Sequence, residues 1–472
     1  MNQYDVTIVG AGISGIYTAY KLVKRNPHTK ILLLESSNRI GGRLHTVTCN
    51  CPTDAKHANV LLDVGGARFS TNQPCILSLI KELNLTDKIY PIDGTTKYIP
   101  IKPDYNTAIS LKFPTVDSII TYVSSYIKHN KIPPSTLINT TLVKFIKQYL
   151  DSENPTLSQY IQDLFPYYSE LSILNAYDAI KLFTNEFAAK TKYMILKGGL
   201  QQLTDKLYSD IQHKITLHKQ TPLLAIQMDG KHDNTNTNTY TNTNTYTLVS
   251  SNGKTFKTSK LILALTQPAL KKIKYIYTKI PKLINSVSPQ PLYRMYACYP
   301  INPITKKVWF DGIGKVATNL PIKYIIPINY DAGVTMISYT DGKYAKYWMQ
   351  SVANDSTAFK AELSRQLHLM FPDIDIPKPK WIKHYPWTIG AAYWKTGSDS
   401  EKLIPQIIKP FKNEEIYICG EQFSRHQAWV EGALETSDMV LAKMHDSKAS
   451  SKASSKASNK ASSKITLKKY KK

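Results

Sequence analysis

Apolar residues cluster along the chain with two periods, and the periods alternate. Tyr4 to Val9 is a short β-branched run of strand length. Ile16, Ala19, Tyr20 and Val23 then recur at helical spacing, and Lys30 to Glu35 is a second buried run. Asn59 to Val64 reads as a strand, and Pro74 opens a helix through Leu83. Short strands and turns are expected from Tyr90 to Lys112. From Val116 to Leu182 the pattern is helical, broken at Pro133-Pro134, Asn154-Pro155 and Pro166. A helix over 199–211 is followed by strands at 221–228, 247–250 and 260–268. Strands are predicted at 291–299, 308–310, 324–328 and 334–339, and helices at 342–350 and 355–370. Trp381 to Trp394 is an aromatic-rich strand and loop, Glu415 to Glu421 a last buried strand, and Val430, Ala433, Leu434, Leu441 and Met444 mark a closing helix. Strands alternating with helices make the chain α/β in class, α+β overall.

Between the first strand and first helix stands Gly10-Ala-Gly12-Ile-Ser14-Gly15, and Glu35 closes the second strand 20 residues after Gly15. That order is a βαβ dinucleotide fingerprint. Gly10 permits the tight turn, Gly12 lets backbone approach a pyrophosphate, and Gly15 lets the helix pack close to the strand. The helix N-terminus offers free N–H groups to phosphates, and Glu35 can accept from ribose hydroxyls.

Length, charge and cysteine usage refine this picture. A chain of 472 residues is long enough for two or three domains. It opens directly on a strand with no leader-like run and holds no stretch of 18 apolar residues, so a soluble, intracellular (cytoplasmic) protein without a transmembrane segment is expected. Cysteines 49, 51, 75, 298 and 419 form no C-x-x-C pair; free thiols and no metal site are expected. The net charge is +25, of which nine lysines in the acid-free tail 447–472 supply a part, leaving +16 on the body. The Lys-Ala-Ser-Ser tail reads as disordered, with possible contact to nucleic acid or an anionic surface. The Asn-Thr stretch from Asn234 to Thr247 reads as a hairpin insertion without a core.

Arg39-x-Gly41-Gly42-Arg43 after the second strand resembles the flavin-containing amine oxidase superfamily of monoamine, polyamine and L-amino-acid oxidases. The resemblance spans about residues 4–445 and implies FAD, with Arg43 beside its phosphates. It implies a Rossmann-like FAD-binding domain with an inserted mixed-sheet and helical substrate domain. FAD-binding segments fall at 1–72, 193–288 (with the insertion 229–247) and 405–446. Substrate segments fall at 73–192 and 289–404, ahead of the tail 447–472.

Gly65-Gly66-Ala67-Arg68 resembles the pattern of the L-amino-acid oxidase branch, in which the arginine holds the substrate carboxylate. The alternative for Arg68 is a place on the flavin or in a structural ion pair. Gly420-Glu421 resembles the acid near the ribityl chain, and Val430 begins a helix whose N-terminus would face the isoalloxazine. Tyr393, in Gly390-Ala-Ala392-Tyr393-Trp394, and Trp429 would form the two walls of an aromatic cage. Monoamine oxidases place a covalently attached cysteine in that loop; here Ala392 stands, so FAD should be non-covalent. By register Arg294 occupies the position of a lysine that holds a water at the flavin's reactive nitrogen, which leaves oxygen reactivity open.

These features imply an FAD-dependent amine oxidase. Its substrate would be an amine, with L-amino acids preferred, and molecular oxygen would be the oxidant. The alternatives are a monoamine or polyamine oxidase, or a flavin-binding protein with lost turnover and a structural or nucleic-acid-binding role.

Overall fold

The strand Thr255–Leu263 brings distant parts of the chain together. The computed structural model describes residues 3–51, 59–101, 107–188, 190–229, 245–354 and 356–445. One edge of Thr255–Leu263 runs parallel to Gln3–Val9, with Val9 opposite Leu263. Its other edge pairs antiparallel with Thr245–Ser250 in its first half and parallel with Ile416–Ile418 in its second. Gln3–Val9 in turn pairs with Ile31–Leu34, and that strand with Ile215–His218. Leu223–Asp229 completes the seven strands. All four residues of Ile31–Leu34 are buried, as expected of a parallel strand covered on both faces. Of the expected hairpin insertion, 230–244 lie outside the described residues, as does the basic tail; the insertion's last residues Thr245, Tyr246 and Thr247 belong to a strand instead, paired with Asp229, Met228 and Gln227.

The βαβ unit forms as the sequence requires. The helix Ile13–Arg25 starts directly after Gly12. Gly10 adopts φ +106, a left-handed conformation. A Cβ on Gly15 would overlap the carbonyl oxygen of Gly10, so only glycine lets the helix lie this close to the strand end.

A second, six-stranded sheet runs in the order Trp381–Trp394, Val287–Cys298, Val334–Asp341, Tyr324–Asn329, Val316–Thr318, Lys97–Ile99. Side chains alternate along Val287–Cys298. Tyr293, Met295 and Ala297 pack with Trp348, Phe359, Leu363 and Leu367 of the helices Gly342–Asn354 and Ser356–Met370. Arg294, between them in sequence, lines a large cavity on the other side.

The helical stretch comprises Val116–His129, Pro134–Ile138, Leu142–Tyr149, Leu157–Leu164, Tyr168–Ser172 and Ala176–Asn185. Three of its breaks fall at the expected prolines, and two more, at 139–141 and 173–175, contain none. Thr115, Thr141 and Asn175 cap three of the helices by accepting from Ser118, Lys144 and Asp178 backbone N–H groups.

Three expectations are corrected. Val308–Phe310 is a turn, not a strand: Val308 and Phe310 are buried from a loop closed by the Asp311 N–H on the Val308 carbonyl. Thr107–Lys112 is a helix within the stretch read as strands. Cys51 and Cys298 form a disulfide with Cα atoms 6.4 Å apart, whereas Cys49, Cys75 and Cys419 are free thiols. The pair is 247 residues apart in sequence, so spacing carried no signal of it. Among the described residues no helix is long and apolar enough to cross a membrane, and no group of His, Cys, Asp and Glu could hold a metal ion.

Gly15→Val should destabilise the fold by at least about 1–3 kcal/mol, the usual cost of overpacking, since the obstructing atom is backbone. A lower denaturant midpoint than wild type checks this; an unchanged midpoint contradicts the packing account.

Candidate active site

The parallel strands end at one large cavity of about 1130 Å³. At one end lie Gly10, Gly12, Ser14 and Glu35. Glu35 is buried and accepts from the Ala11 and Ser37 N–H groups, each at 2.8 Å, which fixes its carboxylate beside the glycine loop. Gly12 caps the first helix without a side-chain bond. Ser14 donates to the Ala433 carbonyl at 3.3 Å, and Ser437 donates to the Ser14 carbonyl at 3.2 Å. These bonds tie the first helix to the closing helix over 430–445.

The middle of the cavity joins the first and last parts of the chain. Arg43 ion-pairs with Glu421 and donates to the Gly390 carbonyl at 3.0 Å. Glu421 also accepts from the Ala428 N–H at 2.9 Å, just before Val430 opens the closing helix. Arg39 is spent on its own loop, donating to the Ile40 and Gly42 carbonyls. A Cβ on Gly65 would overlap the Arg43 carbonyl oxygen, so the Gly65-Gly66 turn lies directly on that loop. Gly66 donates its N–H to the same carbonyl at 2.9 Å, and Gly65, Gly66 and Ala67 line the cavity.

Arg68 stands at the far end. Its guanidinium lies 4.6 Å from the Tyr193 ring, 5.6 Å from Trp429 and 6.0 Å from Tyr167, and it donates to the Tyr167 hydroxyl at 3.3 Å. Trp429 and Tyr193 are stacked, 6.3 Å apart and 5° from parallel. Tyr393 lines the same cavity, and its hydroxyl donates to Glu170 at 2.9 Å. Both expected cage aromatics therefore reach the cavity, but the ring parallel to Trp429 is Tyr193.

Arg294 is buried, donates to the Asp63 carbonyl at 2.6 Å, and lies 4.6 Å over the Tyr339 ring. The Asp63 carboxyl, nearby, accepts from the Thr46 hydroxyl, while burial pushes its pKa up to about 6.

Glu170 is the carboxyl that sequence reasoning missed. Burial first, and then the neighbouring Asp341 charge, push its pKa up to about 8. Its second oxygen has no hydrogen-bond partner. Asp341 itself is spent on the Tyr168 and Ser169 N–H groups, each at 2.8 Å. Tyr167, Tyr193, Tyr339 and Lys315 also line the cavity. No motif marks Tyr167, Tyr339 or Lys315, which arrive from a helix entry and the second sheet; Tyr193 arrives on a short strand.

The sequence over residues 13–114 and 143–440 matches the model of a family described as flavin containing amine oxidoreductase. An uncharacterized protein of Acanthamoeba polyphaga mimivirus is 22% identical over 94% of this chain and 94% of its own length. An L-amino-acid oxidase of Crotalus adamanteus is 22% identical over 92% of this chain and 86% of its own length. Among solved structures, a putrescine oxidase mutant from a redesign of cofactor binding superposes with a TM-score of 0.69 at 17% identity. That match covers 94% of this chain and 99% of the other, and it shows a shared fold.

Glu170 predicts a pH effect on stability. An unfolded glutamate ionises near 4.5, whereas the folded one keeps its proton to about 8. Between those values the native state holds a proton that the unfolded state has lost, so this group lowers stability as pH rises. Glu170→Gln should therefore gain in melting temperature relative to wild type from about pH 5 to pH 8. A difference that is flat with pH would show that Glu170 is ionised in the native state.

Proposed function

Because the chain belongs to the flavin containing amine oxidoreductases, we propose that this FAD-dependent enzyme oxidises L-amino acids, with Arg68 receiving the substrate carboxylate. One observation carries the substrate class. Arg68 lines the cavity, its polar contact is a tyrosine hydroxyl, and no carboxylate lies within ion-pair distance among the described residues. Arginine stays charged even when desolvated, and its planar fork matches a carboxylate. The similarity to the Crotalus adamanteus oxidase supports the same reading.

The residues fit the flavin that the family name implies. The open N-terminus of the first helix suits the pyrophosphate, and the fixed Glu35 carboxylate suits the adenosine ribose. Arg43 and Glu421 flank the middle of the cavity, and the end of the closing helix at Val430 suits the ring edge that gains charge on reduction. Ala392 has no thiol to offer, so FAD is held without a covalent bond.

When bound, the flavin supplies the acceptor for the hydride of the substrate α-carbon. The protein's part is orientation and exclusion of water. Arg68 anchors the carboxylate and so sets which face of the α-carbon is presented. Tyr193, Trp429 and Tyr393 supply aromatic walls against water. A protonated Glu170 leaves the Arg68 charge free for the substrate. Overall, amino acid, oxygen and water become keto acid, ammonia and hydrogen peroxide. Arg294 is fixed by the Asp63 carbonyl and Tyr339, and by the register of the resemblance it would stand where the family carries a lysine.

Acid precipitation should leave the yellow flavin in the supernatant; colour retained in the pellet would count against non-covalent binding. Wild-type protein should release peroxide from L-amino acids. Arg68→Ala should cost about 3–5 kcal/mol on those substrates, because a buried carboxylate is left unpaired. Turnover of benzylamine or spermidine by the wild type, with no L-amino acid accepted, defeats the assignment.

A further inference from the structure

A second cation lines the substrate end of the cavity. Lys315 follows Gly314 at the start of Val316–Thr318, and its carbonyl accepts from the Lys97 N–H at 3.0 Å. Its ammonium lies 5.0 Å from the Tyr324 ring. Tyr324 packs on Tyr167 at 5.1 Å, and Tyr167 is the ring to which Arg68 donates. The two cations are thus joined through one pair of adjacent rings.

The surrounding carboxyls leave Lys315 without an ion pair. Asp93 is exposed and accepts from the Thr95 N–H. Glu170 bonds Tyr393, and Asp341 bonds the Tyr168 and Ser169 N–H groups. None lies within 4 Å of the lysine nitrogen among the described residues. We propose that Lys315 recognises a second anionic group on the substrate, so that the preferred substrates are L-amino acids with a carboxylate side chain.

The proposal rests on Arg68 holding the α-carboxylate. Its own basis is a pair of cavity-lining cations, each without an ion pair among the described residues and set against the adjacent Tyr167 and Tyr324 rings, so that two carboxylates of one ligand would meet two charges. The electrostatics agree. Burial first, and then the Arg68 charge, push the Lys315 pKa down to about 7. A carboxylate arriving between them offsets that repulsion and restores the full ammonium charge.

The test compares kcat/KM for L-glutamate with that for L-glutamine, the uncharged isostere, on flavin-loaded wild type, Lys315→Met, Lys315→Arg and Lys315→Glu. Wild type should favour L-glutamate. In Lys315→Met the ratio should fall about 30-fold or more, the size of losing one partner of a desolvated charge pair. Lys315→Arg should keep the preference, and Lys315→Glu should reverse it towards L-lysine. Calorimetric titration with glutarate, which has two carboxylates and no amine, should be weakened in Lys315→Met. A ratio and a glutarate affinity unmoved in both Lys315→Met and Lys315→Glu overturn the proposal. In that case Arg68-dependent oxidation of neutral L-amino acids would leave the reading of Arg68 standing. Oxidation only of amines without a carboxylate would sink both.

Discussion

The parallel pairing of Thr255–Leu263 with Gln3–Val9 on one side and Ile416–Ile418 on the other is the constraint on which the cavity depends. Parallel strands end on the same edge, so their following loops meet there. Gly10–Gly15 leaves one strand and Gly420-Glu421 leaves another, more than four hundred residues later. The Arg43–Glu421 ion pair and the Ser14–Ala433 bond then hold these loops to each other. If Gly15 carried a side chain, the first helix would be pushed off its strand and both helix ends would lose their common focus.

Charge is distributed unevenly along the cavity. In the middle, Arg43 and Glu421 offset each other. At the glycine loop, Glu35 is satisfied by backbone N–H groups. At the far end, Arg68 and Lys315 face the cavity against aromatic rings, and the buried carboxyl Glu170, which lines the same cavity, is held towards its neutral form by burial. An unpaired cation in such a place is costly. Aromatic faces compensate part of that cost. A ligand carboxylate would compensate the rest, which is how an energetic oddity of the scaffold becomes an argument about substrate.

The residues proposed to hold the cofactor were more legible in the sequence than those proposed to meet the substrate. Gly10, Gly12, Gly15, Glu35, Arg43 and Glu421 lie in contiguous motifs, because a dinucleotide is gripped by loops that immediately follow strands. Arg68 was legible for the same reason, since it follows the Gly65-Gly66 turn. Tyr167 and Glu170 share the entry and first turn of one short helix, Tyr193, Lys315, Tyr324 and Tyr339 come from other elements, and only tertiary packing gathers them. The Cys51–Cys298 bond was invisible in the same way. Periodicity located the helices between prolines well, but it read Val308–Phe310 as a strand where a buried turn has the same apolar content. Arg294 was reached by register alone; its anchorage to the Asp63 carbonyl and the Tyr339 ring required the fold.

The most direct measurement of the central claim is a crystal structure of the flavin-loaded protein with benzoate, a carboxylate that cannot be oxidised. The account predicts the benzoate carboxylate within hydrogen-bond distance of the Arg68 guanidinium, between the Tyr167, Tyr193 and Trp429 rings. Benzoate bound elsewhere in the cavity, with Arg68 turned to pair with Glu170, would contradict it.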